Sequence, residues 1–230
     1  MTKQSGDPGG MKQRAAIFAA ELVEDGMLVG LGSGSTATLL VHALADRARA
    51  GLRFEGVATS EATASLATSL GIRIWELDDR PHMDLAIDGA DEVDPRLNLI
   101  KGLGGALLRE KLVASSSARF VIVADESKLV ARLGEHSPVP VEVVRFGWTR
   151  ARDALTALGG RAERRMAGET PFLTDGENFI LDCWFDPASD VVGLGLPIKA
   201  ITGVVEHGLF LNMTEQVVVG HPDLVEVLRR

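Results

Sequence analysis

Short apolar runs and amphipathic segments alternate along the first 130 residues of the chain. Apolar side chains recur at helical spacing over residues 11–25, and Gly26 is expected to end this helix. Further along, apolar runs alternate with segments of helical spacing, which is typical of repeated strand–helix steps. We therefore predict a doubly wound, mainly parallel sheet. Its strands are predicted at residues 27–31, 54–58, 72–76, 85–87 and 119–124, and its helices end near residues 49, 70 and 114.

The alternation changes near Gly134, where Pro138 and Pro140 interrupt it and indicate a domain boundary. The segment that follows, up to residue 184, mixes strands, one amphipathic helix and glycine turns, which predicts a smaller α+β domain. We predict strands at 141–145, 161–166, 178–184, 209–212 and 216–219, and helices at 149–158, 197–203 and 222–229. The predicted domains are residues 1–134 plus 208–230 for the larger one and residues 135–207 for the smaller one.

Composition narrows the classes of function. The 230 residues carry a formal net charge of −8, so the chain lacks a general basic field for nucleic acid. No apolar run approaches the ~18 residues of a membrane span, and the polar first ten residues lack the apolar core of a signal peptide. The single Cys183 fits a reducing cytoplasm, and its apolar surroundings favour an inert core role over a nucleophile. We expect a cytoplasmic protein that binds neither nucleic acid nor membrane.

A turn of small residues, Gly32-Ser33-Gly34-Ser35-Thr36, follows the first predicted strand; we call it the first glycine turn. Glycines let the backbone approach a phosphate, hydroxyls donate hydrogen bonds, and the start of the next helix supplies free N–H groups. The alternative is a tight turn whose serine only caps the helix. Small residues fill the whole turn, which favours the phosphate site. The turn lacks the lysine of a P-loop and has the wrong glycine spacing for a dinucleotide site.

The stretch from Asp84 to Ala114 concentrates the candidate chemistry. A short buried strand leads into four acids, which repel one another and need compensation nearby. A lone Lys101, a glycine loop of residues 102–105 and a helical segment carrying Glu110 come next. Carboxylates, a cation and bare backbone amides after a strand are the components of a site at the carboxyl edge of a sheet. The four acids are Asp88, Asp91, Glu92 and Asp94.

Six motifs, spread over nearly the whole chain from about Met11, resemble those of the type A family of ribose-5-phosphate isomerases. They are GLGSGSTA at 30–37, AIDGADEVD at 86–94, IKGLGGALLREK at 100–111, ADESKLV at 124–130, PVPVEV at 138–143 and GVVEHGLF at 203–210. The resemblance implies an aldose–ketose isomerase that interconverts D-ribose 5-phosphate and D-ribulose 5-phosphate in the non-oxidative pentose phosphate pathway. It also implies a Rossmann-like domain with a small α/β domain, no metal or other cofactor, and a homodimer or a dimer of dimers.

The resemblance also assigns roles to individual residues. It places the catalytic base at Glu110 and the substrate-binding groups in four segments of the chain. These groups are Ser33, Gly34, Ser35, Thr36, Asp88, Gly89, Ala90, Asp91, Lys101, Gly102, Leu103, Gly104 and Lys128. Two positions depart from the family pattern, which usually has threonine in place of Ser33 and glycine in place of Leu103. A leucine there is strained if its backbone needs a positive φ.

The chemistry of isomerisation explains these residue types. One base can move a proton between C1 and C2 of the open-chain sugar through an enediolate, and by the resemblance Glu110 is that base. Lys101 and the amides beside it would stabilise the negative charge that develops on the sugar oxygens. Opening of the sugar ring needs a further base and acid, for which Asp88, the first choice, and Asp91 are candidates. Lys128 would hold the phosphate together with the first glycine turn.

Each assignment has a structural alternative. Glu110 could be a solvated helix acid paired with a nearby basic residue. Lys101 could be an ordinary counterion of the acid cluster, and Lys128 an ordinary surface lysine. The Asp-Gly pair at residue 88 also favours turns. Asp94 precedes Pro95 and is expected to be structural.

Parts of the sequence are also compatible with other functions. The acid cluster resembles a site for a hard cation, but the nearby lysine opposes a cation and the five histidines show no ligand spacing, so no metal site is expected. A non-catalytic sugar-phosphate-binding module is the alternative from another class. The chain offers no DNA-binding arm and its site includes a base, which favours an enzyme. A related sugar-phosphate isomerase or an amino-sugar deaminase is the third possibility.

Overall fold

The computed structural model describes residues 8–186 and 189–230, so most of the predicted polar lead-in lies outside the described residues. The chain divides into two compact units. The first holds the described residues up to Ala90 together with Arg109–Leu129 and Met213–Arg230, and the second holds Asp91–Leu108 and Val130–Asn212. These boundaries differ from the predicted ones at residues 91–108, 130–134 and 208–212, which were predicted to belong to the larger domain.

The described elements are named here in chain order. The α-helices are α1 (Pro8–Ala20), α2 (Gly34–Arg49), α3 (Glu61–Ser69), α4 (Leu107–Ser115), α5 (Trp148–Ala157) and α6 (Gly195–Lys199). The strands are β1 (Leu28–Leu31), β2 (Glu55–Ala58), β3 (Ile74–Trp75), β4 (Leu85–Asp88), β5 (Glu92–Val93), β6 (Leu99–Ile100), β7 (Phe120–Asp125), β8 (Val139–Val143), β9 (Gly160–Arg164), β10 (Met166–Ala167), β11 (Thr170–Pro171), β12 (Phe179–Phe185), β13 (Val204–His207), β14 (Leu209–Phe210), β15 (Gln216–Gly220) and β16 (Val225–Arg229). Among these helices, none is both long enough and apolar enough to span a membrane.

The first unit is built on a seven-stranded sheet of order β16-β15-β7-β4-β1-β2-β3. Neighbouring strands are parallel except for the pair of β15 and β16. The chain runs outward from β1 through β2 to β3 and then continues on the other side of β1 with β4 and β7. The order therefore reverses between β1 and β4, which confirms the predicted doubly wound, Rossmann-like sheet. Ligands of such sheets bind at the carboxyl ends of the strands beside this reversal.

The last element is a strand, so the helix predicted over residues 222–229 was wrong. β16 runs antiparallel to β15, with Gly220 opposite Val225 and Gln216 opposite Arg229. A turn after β15, in which the N–H of His221 donates to the carbonyl of Leu224 at 2.9 Å, sends the chain back along the sheet edge. Pairing with β15 satisfies the backbone groups of this short segment more fully than a single helical turn would.

The first helix ends earlier than its apolar pattern suggests. α1 stops at Ala20, and hydrogen-bonded turns lead from there to Gly26, whose φ is +85°. Arg47 on α2 explains the early end, because its guanidinium donates to the carbonyl of Ala20 and, at 2.8 Å, to that of Val23. A tertiary contact therefore takes over the carbonyls that a longer α1 would bond internally.

The second unit contains an antiparallel sheet of order β13-β8-β12-β9, a short hairpin of β10 and β11, and a small sheet of order β14-β6-β5. The small sheet pairs Leu99 with Phe210 and Ile100 with Glu92, which is why residues 91–108 group with this unit. Several of its strands are only two residues long, too short for an apolar pattern to reveal. Its core includes the buried Cys183 on β12.

Candidate active site

Polar segments follow three neighbouring strands of the first unit. β4 lies between β1 and β7, parallel to both, with Leu31 opposite Ile87 and Asp88 opposite Ile122. The first glycine turn follows β1, Asp88 ends β4, and Lys128 closes the short 3₁₀ turn after β7. Because the three strands are parallel neighbours, these groups lie at the same carboxyl edge of the sheet.

Ser33 and Glu110 are in direct contact. Glu110 lies in the first turn of α4 and is only 5% exposed. Ser33 occupies the N-cap position of α2, yet its side chain makes no capping hydrogen bond. Its hydroxyl instead donates to Oε1 of Glu110 at 2.5 Å. The side chain of Ser33 therefore does not cap its own helix, and the carboxylate of Glu110 is not solvated. The carboxylate is buried and oriented, as a general base requires.

Asp88 lies against the backbone of the first glycine turn. It is 3% exposed, and its Oδ1 accepts hydrogen bonds from the N–H of Ser33 at 3.1 Å and from that of Gly89 at 2.7 Å. A Cβ at position 32 would overlap the Asp88 carboxyl group, so only glycine allows this approach. The first glycine therefore admits an aspartate as well as shaping the turn.

The first glycine turn presents the start of a long helix. Gly34 has a φ of +83°, and it opens the 16-residue α2. The first N–H groups of a helix lack internal partners, and the helix dipole favours an anion beside them. Gly34 and Ser35 are exposed, and Ser33 and Thr36 are partly exposed, so the turn is accessible to a ligand.

Lys12 is a residue that the sequence analysis missed. It lies on α1, and its Nζ is 3.4 Å from Oγ of Ser35 and 4.0 Å from Oδ2 of Asp125. Its partners lie 23 and more positions away, so no local pattern marks it. Lys12 adds positive charge directly beside the first glycine turn.

Lys128 lies near the same edge but has a different setting. It ends the 3₁₀ turn Glu126–Lys128, which Asp125 caps by accepting from the N–H of Ser127 at 3.0 Å. Lys128 is partly exposed, and it forms no salt bridge with any residue that the structure describes. Its amine is therefore available for an anionic ligand.

The second unit holds the other predicted groups. Lys101 follows β6, is only 3% exposed, and has its Nζ 5.5 Å from the centroid of the Phe210 ring. Lysine is rarely buried to this extent, which sets Lys101 apart from an ordinary surface counterion. Asp91 accepts a hydrogen bond from the N–H of Leu103 at 3.0 Å. This hydrogen bond connects Asp91 of the acid cluster to the glycine loop.

The glycines of the loop, and not Leu103, adopt the left-handed backbone. φ is +104° at Gly102 and +91° at Gly105. Leu103 is not among the described non-glycine residues with positive φ, so the strain anticipated there is absent. Its side chain is 41% exposed, and a leucine fits this backbone without penalty.

Backbone N–H groups compensate the other two acids of the cluster. Glu92, 1% exposed, accepts three hydrogen bonds and Asp94 accepts two backbone bonds and one from a side-chain amide. The donors belong to Gly134, His136 and Ser137 for Glu92, and to Arg96 and Asn98 for Asp94. The structural role expected for Asp94 is confirmed. Within residues 8–186 and 189–230, no group of three or more His, Cys, Asp or Glu side chains is arranged to hold a metal ion.

Cys183 is a core residue. It is fully buried on β12, and burial, helped by the charge of Asp182, raises the pKa of its thiol to about 12. A thiol with so high a pKa stays protonated at neutral pH and is a poor nucleophile. The expected inert role of Cys183 is confirmed.

Comparison with known proteins agrees with this geometry. The sequence pattern of the family described as ribose 5-phosphate isomerase A (phosphoriboisomerase A) matches residues 55–224. Ribose-5-phosphate isomerase A of Synechococcus sp. (strain JA-3-3Ab) is 53% identical over 223 residues, covering 96% of this chain and 97% of that protein. Ribose-5-phosphate isomerase A of Roseiflexus sp. (strain RS-1) is 56% identical over 215 residues, covering 92% of each.

Solved structures extend the likeness to the fold. The structure of ribose 5-phosphate isomerase A from Methanocaldococcus jannaschii superposes with a TM-score of 0.92 at 38% identity, covering 97% of this chain and 100% of that one. A D-ribose-5-phosphate isomerase in complex with phospho-erythronic acid gives a TM-score of 0.94 at 37% identity, with the same coverage.

The doubly wound sheet, the polar groups at its carboxyl edge and these matches define an enzyme of the isomerase class. The buried and oriented acid beside the first glycine turn suits an isomerase better than a module that only binds sugar phosphates. The chain belongs to the ribose 5-phosphate isomerase A family, as its six motifs predicted.

Proposed function

We propose that this chain interconverts D-ribose 5-phosphate and D-ribulose 5-phosphate through an enediolate, with Glu110 as the base that moves the proton between C1 and C2. The observation that carries the proposal is the buried Glu110 carboxylate held by the hydroxyl of Ser33 at 2.5 Å. A carboxylate fixed in one orientation can take a proton from one carbon and return it to the next without reorganising. The relative solved with phospho-erythronic acid supports a phosphosugar as the substrate.

The phosphate is held by the first glycine turn with two lysines. The start of α2 supplies free N–H groups, and Ser35 and Thr36 supply hydroxyls. Lys12 contributes charge at 3.4 Å from Ser35, and Lys128 contributes an amine near the end of β7. The net charge of the chain is −8, so this local concentration of donors is what attracts a phosphorylated sugar.

The remaining groups stabilise charge and open the sugar ring. Lys101 is the cation for the oxygens that become negative in the enediolate, and N–H groups of the glycine loop assist it. Asp88 and Asp91 provide the acid and base for ring opening, with Asp88 the first choice. The hydrogen bonds that each accepts from backbone N–H groups hold these carboxylates in place. The reaction needs no group beyond these side chains and amides.

The resemblance and the composition support a proposal for the assembly and location of the protein. We propose a homodimer or a dimer of dimers in the cytoplasm, where the single Cys183 stays reduced. Light scattering on the purified protein measures the assembly directly, and a monomeric mass would contradict it.

Substitution of the base tests the mechanism. Glu110→Gln keeps the shape and the hydrogen bonding of the side chain but removes its basicity. We expect kcat to fall by roughly 10² to 10⁴, the usual worth of a positioned base. Affinity for the phosphosugar should change little, because an amide adds no repulsion toward a dianion. Conversion of ribose 5-phosphate to the ketose gives kcat, and calorimetry gives the affinity.

The neighbouring Glu61→Gln variant is the matched control, since Glu61 is a 73%-exposed carboxylate paired with Arg109 at 2.8 Å. It should keep the turnover of the wild type. A folded Glu110→Gln protein with turnover within a few-fold of wild type would refute the assignment, and the base would then be sought among Asp88 and Asp91. A wild-type protein that binds ribose 5-phosphate without converting it would be a binding module.

A further inference from the structure

Arg165 holds the glycine loop by its backbone. It lies between β9 and β10, and one terminal nitrogen of its guanidinium donates to the carbonyl of Gly102 at 2.9 Å and to that of Leu103 at 2.8 Å. The side chain is 13% exposed. The same Gly102 carbonyl accepts from the N–H of Gly105 at 3.0 Å, which closes the loop. Two successive carbonyls of the loop therefore point toward one arginine.

The other side of the guanidinium is locked in place. Its Nε and second terminal nitrogen donate to the two carboxylate oxygens of Asp182 on β12, at 2.9 and 2.5 Å. This is the two-point geometry in which arginine and carboxylate pair most strongly. The ring of Phe172 lies 5.8 Å from the guanidinium carbon and packs directly on Gly105. Contacts with Asp182 and Phe172 therefore hold the Arg165 guanidinium in the orientation in which it donates to the loop.

The direction of these carbonyls sets the direction of the N–H groups that follow them. Every described peptide bond is trans, and in a trans peptide the C=O and the next N–H point in opposite directions. Because the Gly102 carbonyl faces Arg165, the N–H of Leu103 faces away from it, and there it meets Asp91 at 3.0 Å. Because the Leu103 carbonyl also faces Arg165, the N–H of the exposed Gly104 points away from Arg165 as well.

We propose that Arg165 is a positioning residue for the isomerisation: by holding two carbonyls of the glycine loop, it directs the N–H of Leu103 onto Asp91 and the N–H of Gly104 toward a substrate oxygen. The inference deepens the proposed function and rests on it. Arg165 itself touches neither substrate nor reacting atoms. It acts by keeping hydrogen-bond donors aimed where negative charge develops, so that no reorganisation is needed during the reaction.

Replacement of the arginine tests this role. In Arg165→Ala the two carbonyls lose their donor, and we expect kcat for ribose 5-phosphate to fall by about 10- to 100-fold, as small misplacements of catalytic groups do. The inhibition constant of inorganic phosphate, which is assigned to the first glycine turn and its lysines, should change by less than about 2-fold. Added guanidinium at millimolar concentration should restore part of kcat, whereas sodium at the same ionic strength should not.

Arg164→Ala is the matched control. Arg164 is the adjacent arginine, and its guanidinium lies over the rings of Trp148 and Phe179, at 4.6 and 5.1 Å from their centroids. The Arg164→Ala substitution removes the same charge without removing a contact to the glycine loop, so kcat should stay that of the wild type. Amide hydrogen exchange over residues 102–105 should be faster in Arg165→Ala than in Arg164→Ala.

The outcomes separate this inference from the mechanism on which it rests. A folded Arg165→Ala protein with wild-type kcat and unchanged exchange in the loop overturns the role of Arg165. If Glu110→Gln and Lys101→Ala lose turnover in the same assay, the proposed mechanism survives that result. If those two variants keep turnover, the proposed mechanism is wrong. Amide hydrogen exchange over residues 102–105 then still tests whether Arg165 holds the loop. Should Arg165→Ala not fold, Arg165→Lys decides: a single ammonium cannot serve Asp182 and both carbonyls, so a wild-type kcat overturns the inference.

Discussion

The hydroxyl of Ser33 donates a hydrogen bond to the carboxylate of Glu110 at 2.5 Å, across 77 positions of sequence. The contact couples the turn proposed to bind phosphate to the side chain proposed to move the proton. Ser33 also donates its backbone N–H to Asp88 at 3.1 Å, so one residue orients two carboxylates. A ligand that orders the first glycine turn would therefore also order the base.

Removal of the Ser33 hydroxyl should reduce turnover without abolishing it. In Ser33→Ala, Glu110 keeps its basicity but loses a charge-assisted hydrogen bond, a type worth about 1.5–3 kcal/mol. We expect kcat to fall by about 10-fold, less than in Glu110→Gln. Ser33→Thr keeps the hydroxyl and matches the usual residue of the family, so it should restore most of the activity. Equal activity in the Ala and Thr variants would show that the hydrogen bond has no catalytic role.

The two lysines proposed to bind the phosphate, Lys12 and Lys128, should govern affinity more than rate. The phosphate is remote from the reacting carbons, so its contacts stabilise ground state and transition state alike. Lys128→Ala and Lys12→Ala should each raise KM more than they lower kcat, and should weaken inhibition by inorganic phosphate. Steady-state kinetics decide this. A large loss of kcat at unchanged KM in Lys128→Ala would place that lysine near the chemistry instead.

Leu103→Gly should leave a working enzyme that is slightly less stable. Leu103 carries no left-handed strain, so glycine has none to relieve. Glycine adds conformational freedom to the unfolded chain, which costs on the order of 1 kcal/mol. Urea unfolding of both proteins, with kcat measured in parallel, checks the expectation. An increase in the free energy of unfolding would reveal strain that the backbone angles do not show.

His221 should make stability depend on pH. Its ring nitrogens lie 2.8 Å from Glu126 and 3.0 Å from Glu226, and the hydrogen bonds to Glu126 first and Glu226 second raise the pKa of His221 above its ordinary 6.5 against an opposing effect of desolvation. The folded state thus binds this proton more tightly than the unfolded state. The stabilisation is complete below about pH 6.5 and is lost as the pH rises through the folded pKa.

The melting temperatures of wild type and His221→Gln measure this contribution. We expect the wild type to be more stable at pH 6, by about 1 kcal/mol or less as for partly exposed ion pairs, and the gap to shrink toward pH 9. Glu226→Gln removes one of the two carboxylate partners of His221, so it should weaken the pH dependence of stability without abolishing it. A gap that is constant or that widens with pH would show that protonation of His221 does not stabilise the fold.

Elements that follow a local apolar pattern were predictable, and elements decided by a distant partner were not. The parallel strands β1, β2, β3, β4 and β7 and the helices between them follow from local patterns that a buried sheet requires. β16 was mistaken for a helix because the choice between a helical turn and an edge strand depends on β15, the strand that it pairs with. α1 ends at Ala20 because Arg47, on another helix, donates to the carbonyls of Ala20 and Val23 that a longer helix would bond internally.

The site divides in the same way. The sequence predicted Asp88, Lys101 and Glu110 as site residues because acids, a lysine and glycines occur together in one stretch of the chain. Lys12 went unnoticed because it reaches Ser35 only after α1 has packed. The acid cluster was one group in the sequence, but backbone N–H groups commit Glu92 and Asp94 to structural roles.

By itself, the sequence determined the alternation of strands and helices, the placement of polar groups after strands, and the family to which the motifs point. These depend on spacing along the chain and on the identity of neighbouring residues. Only the tertiary structure decided that the hydroxyl of Ser33 donates to Glu110 instead of capping its own helix, that Leu103 is unstrained, and that Arg165 holds the glycine loop. Each of these is a contact or a backbone angle that depends on residues tens of positions away. Such residues come together only when the chain folds, so no local pattern can reveal them.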